Sequence, residues 1–148
     1  MSITIPNKFY RVSIKGLMVR DGKLLLLEDA NKLAGTGPCW ELPGGSLDWG
    51  EDPIVCLRRE LQEEMGLEVE TLDERPLYTW SARRENFDSI ELYYSLVVAY
   101  PMTLKSLDFT PSDECMSINF FSKEELQTIK LHDQLTPLKE LFDPSDFS

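Results

Sequence analysis

Three carboxylates crowd the short stretch RELQEE, at Glu60, Glu63 and Glu64. On a helix Glu60 and Glu64 fall one turn apart on the same side, where a like-charged pair costs roughly 0.2–0.5 kcal/mol. A sequence that breaks a local rule in this way points to a site. A hard divalent cation with oxygen ligands, Mg²⁺ or Mn²⁺, would turn the repulsion into shared coordination. The same run also suits the solvated face of an amphipathic helix, so the elements around it must decide.

Those elements can be read from the chain. Asp52-Pro53 is a helix start, because the Asp side chain caps free backbone N–H groups and Pro at the first helical position loses no hydrogen bond. Gly66 is the matching stop. Between them Ile54, Leu57, Leu61 and Met65 recur at helical spacing and form one apolar stripe to bury against a sheet. Upstream, the runs FYRVSIKGLMVR and KLLLLE flank Asp21-Gly22, which predicts an antiparallel hairpin with a tight turn. DANKLAGTGPCW reads as an irregular loop. Trp40 to Pro43 then reads as a short strand running into Gly44-Gly45.

Downstream, LEVETL, PLYTWSA, DSIELYYSLVVAY and SINFF carry the alternation and the aromatic and β-branched residues of strands. Ser122 and Glu125 form a capping box that opens a helix through KEELQTI. Thr136-Pro137 opens a short final helix, TPLKELF. No repeat, low-complexity tract or linker interrupts residues 1–148, which read as one domain.

Composition bounds the function. The chain is 42% hydrophobic and 28% charged, with a formal net charge of −11. That balance fits a globular protein with a real core and argues against sequence-independent binding to nucleic acid polymers or anionic lipid. A phosphate ligand would need a cation as intermediary. Cys39, Cys56 and Cys115 are odd in number and match no CxxC spacing, so they read as buried thiols in a reducing cytosol. MSITIPNKFY lacks the features of a signal peptide, and no segment approaches the ~20 apolar residues of a membrane span. The expected setting is cytoplasmic.

The frame around the carboxylates is GSLDWGEDPIVCLRRELQEEMGL, from Gly45 to Leu67. It resembles the signature of the Nudix hydrolases: Gly, five residues, Glu, seven residues, Arg-Glu, an apolar residue, any residue, Glu-Glu, any residue, Gly, and an apolar residue. Gly45, Glu51, Arg59, Glu60, Leu61, Glu63, Glu64, Gly66 and Leu67 fill every fixed position. The order of hairpin, loop, WELPGG strand and later strands also resembles that family. The resemblance implies an α/β/α sandwich around a mixed β-sheet, with the signature forming a strand-loop-helix unit.

Carried over residue by residue, the resemblance assigns Glu60, Glu63 and Glu64 to divalent metal, with the Gly44 carbonyl as an additional ligand. It pairs Arg59 with Glu51 as a brace between loop and helix, the kind of contact that holds ligands in place. Members often supply a further carboxylate from a late loop, and here Glu114 in SDEC precedes SINFF. Where many relatives carry a second Glu near that strand, this chain has Ser117. The general base is therefore left between Glu60 and Glu114. Arg83 and Arg84 could reach substrate phosphates. Trp40 and Trp49 could stack on a base or pack against the loop. His132 reads as a surface residue.

The implied reaction is Mg²⁺-dependent cleavage of a diphosphate in a nucleoside triphosphate or a nucleoside diphosphate derivative such as a nucleotide sugar. Marks of particular subfamilies are missing: Ala82 and Arg83 stand where a proline or tyrosine would mark ADP-ribose or dinucleoside polyphosphate enzymes. Two rivals stand beside an enzyme. One is a noncatalytic nucleotide-binding module, which the intact carboxylates disfavour. The other is a calcium-binding or structural helix, for which no D-x-[DN]-x-[DN]-G loop exists. Nudix proteins are often homodimers, and no sequence feature marks an interface here.

Overall fold

The structure, a computed structural model, describes residues 9–30, 38–85 and 92–147; the side chains of Arg84, Glu85, Leu92 and Tyr93 lie outside what is described. The elements are β1 (Tyr10–Leu17), β2 (Val19–Arg20), β3 (Lys23–Asp29), β4 (Cys39–Glu41), β5 (Gly44–Ser46), α1 (Pro53–Met65), β6 (Val69–Leu72), β7 (Tyr78–Glu85), β8 (Leu92–Leu104), β9 (Ser117–Phe121), α2 (Lys123–Leu126) and α3 (Leu138–Leu141). Turns of 3₁₀ helix cover Asp133–Leu135 and Pro144–Phe147.

β8 organises the larger sheet. Along one edge it pairs parallel with β1, which in turn pairs antiparallel with β5. Along the other it pairs antiparallel with β7 and, past Pro101, with β6. The second sheet is antiparallel, with β3 between β9 on one side and both β2 and β4 on the other. The expected hairpin is present, with Asp21 (φ 53°) and Gly22 (φ 76°) both left-handed, as the tight turn requires. Its first strand is shorter than the sequence suggests. The chain breaks at Met18, so β1 crosses to the other sheet and only β2 closes the hairpin on β3. Most of the loop expected in DANKLAGTGPCW falls in residues 31–37, outside the described residues.

The period-two alternation of the strands sorts the core into two layers. Ile14 of β1 with Tyr100 and Met102 of β8 packs against Leu57, Leu61 and Met65 of α1. The opposite faces of the same strands, through Leu17, Val97 and Ala99, pack against Leu126, Leu135, Leu138 and Phe142 of the C-terminal segment. Helices thus cover both sides, giving the α/β/α sandwich around a mixed sheet. Each fully buried Leu of the α1 stripe contributes about 1.5–3 kcal/mol by leaving water.

The helix expected through KEELQTI ends at Leu126. Its capping box is formed as read, but the backbone beyond it is drawn off to pair with β4. Trp40 N–H donates to the Lys130 carbonyl at 3.0 Å and His132 N–H donates to the Trp40 carbonyl at 2.9 Å. Tertiary pairing here overrides local helical propensity. Cys39, Cys56 and Cys115 are buried free thiols, as expected. Among the described residues no helix is long and apolar enough to cross a membrane.

Candidate metal centre and its surroundings

α1 starts where Asp52 Oδ1 accepts the Ile54 N–H at 2.9 Å, and ends at Gly66, whose φ of 68° places it in the left-handed region. With those ends fixed and the stripe buried, Glu60 and Glu64 rise along one edge of the helix towards β5. Glu64 is 4% exposed, and its Oε1 accepts the Gly44 N–H at 2.8 Å. Glu60 lies over Gly45, where an added Cβ would land on its carboxylate. Gly44 has no alternative residue: its φ is 123°, and a Cβ would collide with the Ile14 carbonyl oxygen.

Glu114 reaches the same place from the loop before β9. That loop is fastened to the end of α1 by two contacts: Ser112 Oγ donates to the Glu64 carbonyl at 2.7 Å, and Thr110 N–H donates to the Met65 carbonyl at 2.8 Å. Ligand oxygens of Glu60, Glu64 and Glu114 consequently all lie within 4.8 Å of one another. Carboxylates so close repel one another, and a cation among them would relieve that repulsion. Burial, reinforced by the Glu114 and Glu60 charges, pushes the Glu64 carboxyl up to about 8 against the pull of Lys15 and the Gly44 N–H. Burial likewise raises Glu60, opposed by Arg59. An all-oxygen donor set with excess negative charge, cradled beside a glycine that leaves it room, fits a hard divalent cation.

Glu63 stands apart from this trio. It is exposed and ion-paired to Arg59 Nη1 at 3.2 Å. Arg59 is the hub of the loop-helix contact: its Nε and Nη2 clasp Glu51 at 2.8 and 2.9 Å, Nη1 donates to Glu60 at 3.1 Å, and Nη2 reaches the Ser46 carbonyl at 3.3 Å. The Arg59 guanidinium holds the Glu51 carboxyl down to about 2. Arg59→Ala and Glu51→Gln should therefore each cut activity through a displaced Glu60. Their double variant should lose no more than the worse single one, because the two act through one contact. Strictly additive losses in a double-mutant cycle would contradict this.

Sequence reading missed the buried polar group behind the glycines. Lys15 is 3% exposed, and its Nζ donates to the Gly44 carbonyl at 3.1 Å and lies 3.4 Å from Glu41. Gln134 Nε2 donates to the other Glu41 oxygen at 2.9 Å. His132, expected at the surface, is instead partly buried, with Nδ1 3.5 Å from Glu41 and 2.8 Å from Asp133. The turn pulled onto β4 carries it inward. Ser13, Lys15, Gly45, Ser95, His132 and Gln134 line a polar pocket of about 230 Å³. A lysine inside the strand VSIKGL was the available signal, since an inward-facing cation must find a partner. Gln134 lies in an irregular turn and gave none.

The remaining expected residues lie elsewhere. Trp40 is half-buried, edge-on to Phe121 with centroids 4.8 Å apart, and packs against the core. Arg83 is exposed on β7 opposite Tyr94. The side chain of Arg84 is outside the described residues.

The family model described as NUDIX domain matches residues 9–142. An RNA pyrophosphohydrolase of Mesorhizobium japonicum is 38% identical over 80 residues, covering 49% of this chain and 44% of that protein. The alignment thus spans less than half of that relative. A nucleoside triphosphatase NudI of Enterobacter sp. is 25% identical over 129 residues, covering 83% of this chain and 89% of the relative. Among solved structures, a MutT protein from Methanosarcina mazei superposes with a TM-score of 0.70 at 21% identity, over 97% of this chain and all of the other. A MutT NUDIX hydrolase from Burkholderia pseudomallei gives 0.64 at 24% identity, over 90% and 99%. At these identities the structural likeness is one of fold.

Proposed function

Since the chain belongs to the NUDIX family, matched from residue 9 to residue 142, we propose that it is a divalent-metal-dependent pyrophosphohydrolase. Its substrate is a nucleoside triphosphate or a nucleoside diphosphate derivative. The observation that carries this reading is the trio Glu60, Glu64 and Glu114, with oxygens within 4.8 Å and Glu64 raised to about 8. Mg²⁺ or Mn²⁺ would be held by these three; the family pattern adds Glu63, which here is paired to Arg59 at 3.2 Å, and the Gly44 carbonyl, which here accepts from Lys15 Nζ at 3.1 Å. Bound there, the cation would neutralise phosphate oxygens and lower the pKa of the attacking water.

The chain's own groups do the rest. Glu60, fixed by Arg59 and lifted above the ordinary carboxylate range, takes a proton from water as the water oxygen bonds to phosphorus. The bridging P–O bond breaks, and two fragments leave, each ending in phosphate. Arg59 and Glu51 keep Glu60 on Gly45. The polar pocket around Lys15, Glu41 and Gln134 shares Gly45 with the acidic trio and supplies donors and acceptors for the nucleoside end. Buried free thiols fit a reducing cytoplasm.

The test is a panel of nucleoside triphosphates and nucleotide sugars with Mg²⁺ and with EDTA, scored for phosphate-bearing products. Turnover with Mg²⁺ alone is the expected result. Binding without turnover of any compound would make the protein a nucleotide-binding module instead.

Metal binding should also show in stability. The folded Glu64 carboxyl is raised above its unfolded value, so the unfolded chain ionises first. Metal-free stability then falls as pH climbs from the ordinary carboxylate range to about 8. Below that, a cation must displace the proton. Mg²⁺ should therefore raise Tm more at pH 8.5 than at pH 6, as thermal melts would show; equal increments would contradict the assignment of Glu64.

A further inference from the structure

The carboxylates of the trio are not held alike. Arg59 Nη1 donates to Glu60 at 3.1 Å, and the Gly44 N–H donates to Glu64 at 2.8 Å. Among the described residues no hydrogen bond or ion pair engages the exposed Glu114 carboxylate. Its place is therefore set by the backbone that carries it. That backbone is a tight turn: Ser112 and Cys115 exchange N–H···O bonds at 3.0 and 3.1 Å, with Asp113 and Glu114 between them.

The turn is fastened from two directions. On the β3 side the bonds run backbone to backbone, from the Ala30 N–H to the Asp113 carbonyl at 2.9 Å and from the Met116 N–H to the Glu28 carbonyl at 2.8 Å. Those bonds do not depend on side-chain identity. On the α1 side the turn itself is tied by the Ser112 hydroxyl, whose Oγ donates to the Glu64 carbonyl at 2.7 Å. That carbonyl is in the last turn of α1, where backbone oxygens have no partner inside the helix. The hydroxyl satisfies the helix end, and it also joins the backbone of one metal-site residue to the turn that carries another. A run of bonds thus leads from the Gly44 N–H through Glu64 and Ser112 to the turn of Glu114.

We propose that Ser112 is a positioning residue of the metal centre: its hydroxyl sets how close Glu114 stands to Glu60 and Glu64, and with it how tightly the trio takes a divalent cation. The inference rests on the reading of the trio as the metal site, and adds to it a residue that touches neither cation nor substrate. Groups that orient metal ligands matter in this way, and their loss typically costs roughly 10- to 100-fold in affinity. Without the hydroxyl the turn keeps its bonds to β3 but loses its own tie to α1. Glu114 must then be ordered at the moment of binding, whereas the serine orders it beforehand.

The experiment titrates Mn²⁺, with no nucleotide present, into the wild type, Ser112→Ala, Ser112→Thr, Ser112→Val, Glu114→Gln and the double variant of Ser112→Ala with Glu114→Gln. Free Mn²⁺ is read from its electron paramagnetic resonance signal, and melts in EDTA check that each chain is folded. Ser112→Ala and Ser112→Val should each raise the dissociation constant roughly tenfold. Ser112→Thr, which has the shape of valine but keeps the hydroxyl, should stay near the wild type. In the Glu114→Gln background Ser112→Ala should change nothing further, because the serine acts through that carboxylate. The proposal is overturned by a Ser112→Ala variant that binds Mn²⁺ as the wild type does, or by a Ser112→Thr as weak as Ser112→Val. An undiminished loss in the Glu114→Gln background would also overturn it and assign the serine to the helix end alone. Mn²⁺ bound in the expected pattern, with no nucleotide hydrolysed, would leave the positioning role standing while the hydrolase reading fails. A wild type that takes up no Mn²⁺ would remove the metal centre and this role with it.

Discussion

Replacing Glu64 with Gln is expected to lower kcat by on the order of 10³-fold, about 4 kcal/mol of transition-state stabilisation, while leaving the protein folded. Glutamine is nearly isosteric, and its side-chain oxygen can still accept the Gly44 N–H that Glu64 accepts at 2.8 Å. What disappears is a buried charge that only a cation can balance. The metal-free variant should therefore be more stable than the wild type above pH 8, where the native carboxyl is forced to ionise. Steady-state kinetics at saturating Mg²⁺ and thermal melts in EDTA check the two halves independently. A variant with near wild-type turnover would remove Glu64 from the metal site. A variant that melts well below wild type would show the carboxylate to be structural.

Glu60→Gln and Glu114→Gln are expected to fail in different ways. A positioned base contributes roughly 10²- to 10⁴-fold, so Glu60→Gln should lose that much in kcat together with the acidic limb of the pH-rate profile; because Glu60 also faces the cation the Mg²⁺ requirement should rise, but saturating Mg²⁺ should not restore the rate. Glu114 is exposed and comes from a loop. Its loss should raise the Mg²⁺ concentration for half-maximal rate, and excess metal should recover part of the activity. Kinetics of both variants across pH and Mg²⁺ separate base from ligand. Full rescue of Glu60→Gln by Mg²⁺, with Glu114→Gln inactive throughout, would exchange the two roles.

Much of this arrangement was legible because it is written in local spacing. Asp52-Pro53 and Gly66 bound α1, the Leu57-Leu61-Met65 stripe orients it, and those facts place Glu60 and Glu64 on one edge. The resemblance around Gly45 to Leu67 then carried the family and the layered fold. The contacts that were not legible are those between distant segments. The pairing of Lys130–His132 with Trp40 shortens α2 and turns His132 inward, and no periodicity announces an irregular strip that pairs with a strand ninety residues earlier in sequence. The Lys15-Glu41-Gln134 group assembles from three such segments. Glu63 illustrates a third limit: spacing places it with Glu60 and Glu64, but only the hydrogen bonds show it turned to Arg59. Trp49 could be read either way from sequence, and its full exposure decides against packing on the loop.

The central claim is that water, activated at the carboxylate trio in the presence of a divalent cation, attacks phosphorus in a diphosphate-linked nucleotide. It is tested most directly by hydrolysing the best substrate of the panel in ¹⁸O-enriched water, with Mg²⁺ or with EDTA, and weighing the products by mass spectrometry. The expected result is a single ¹⁸O in one phosphate-bearing product with Mg²⁺, and no labelled product with EDTA or with Glu64→Gln. Products that form equally well in EDTA, or that carry no label on phosphate, would contradict it.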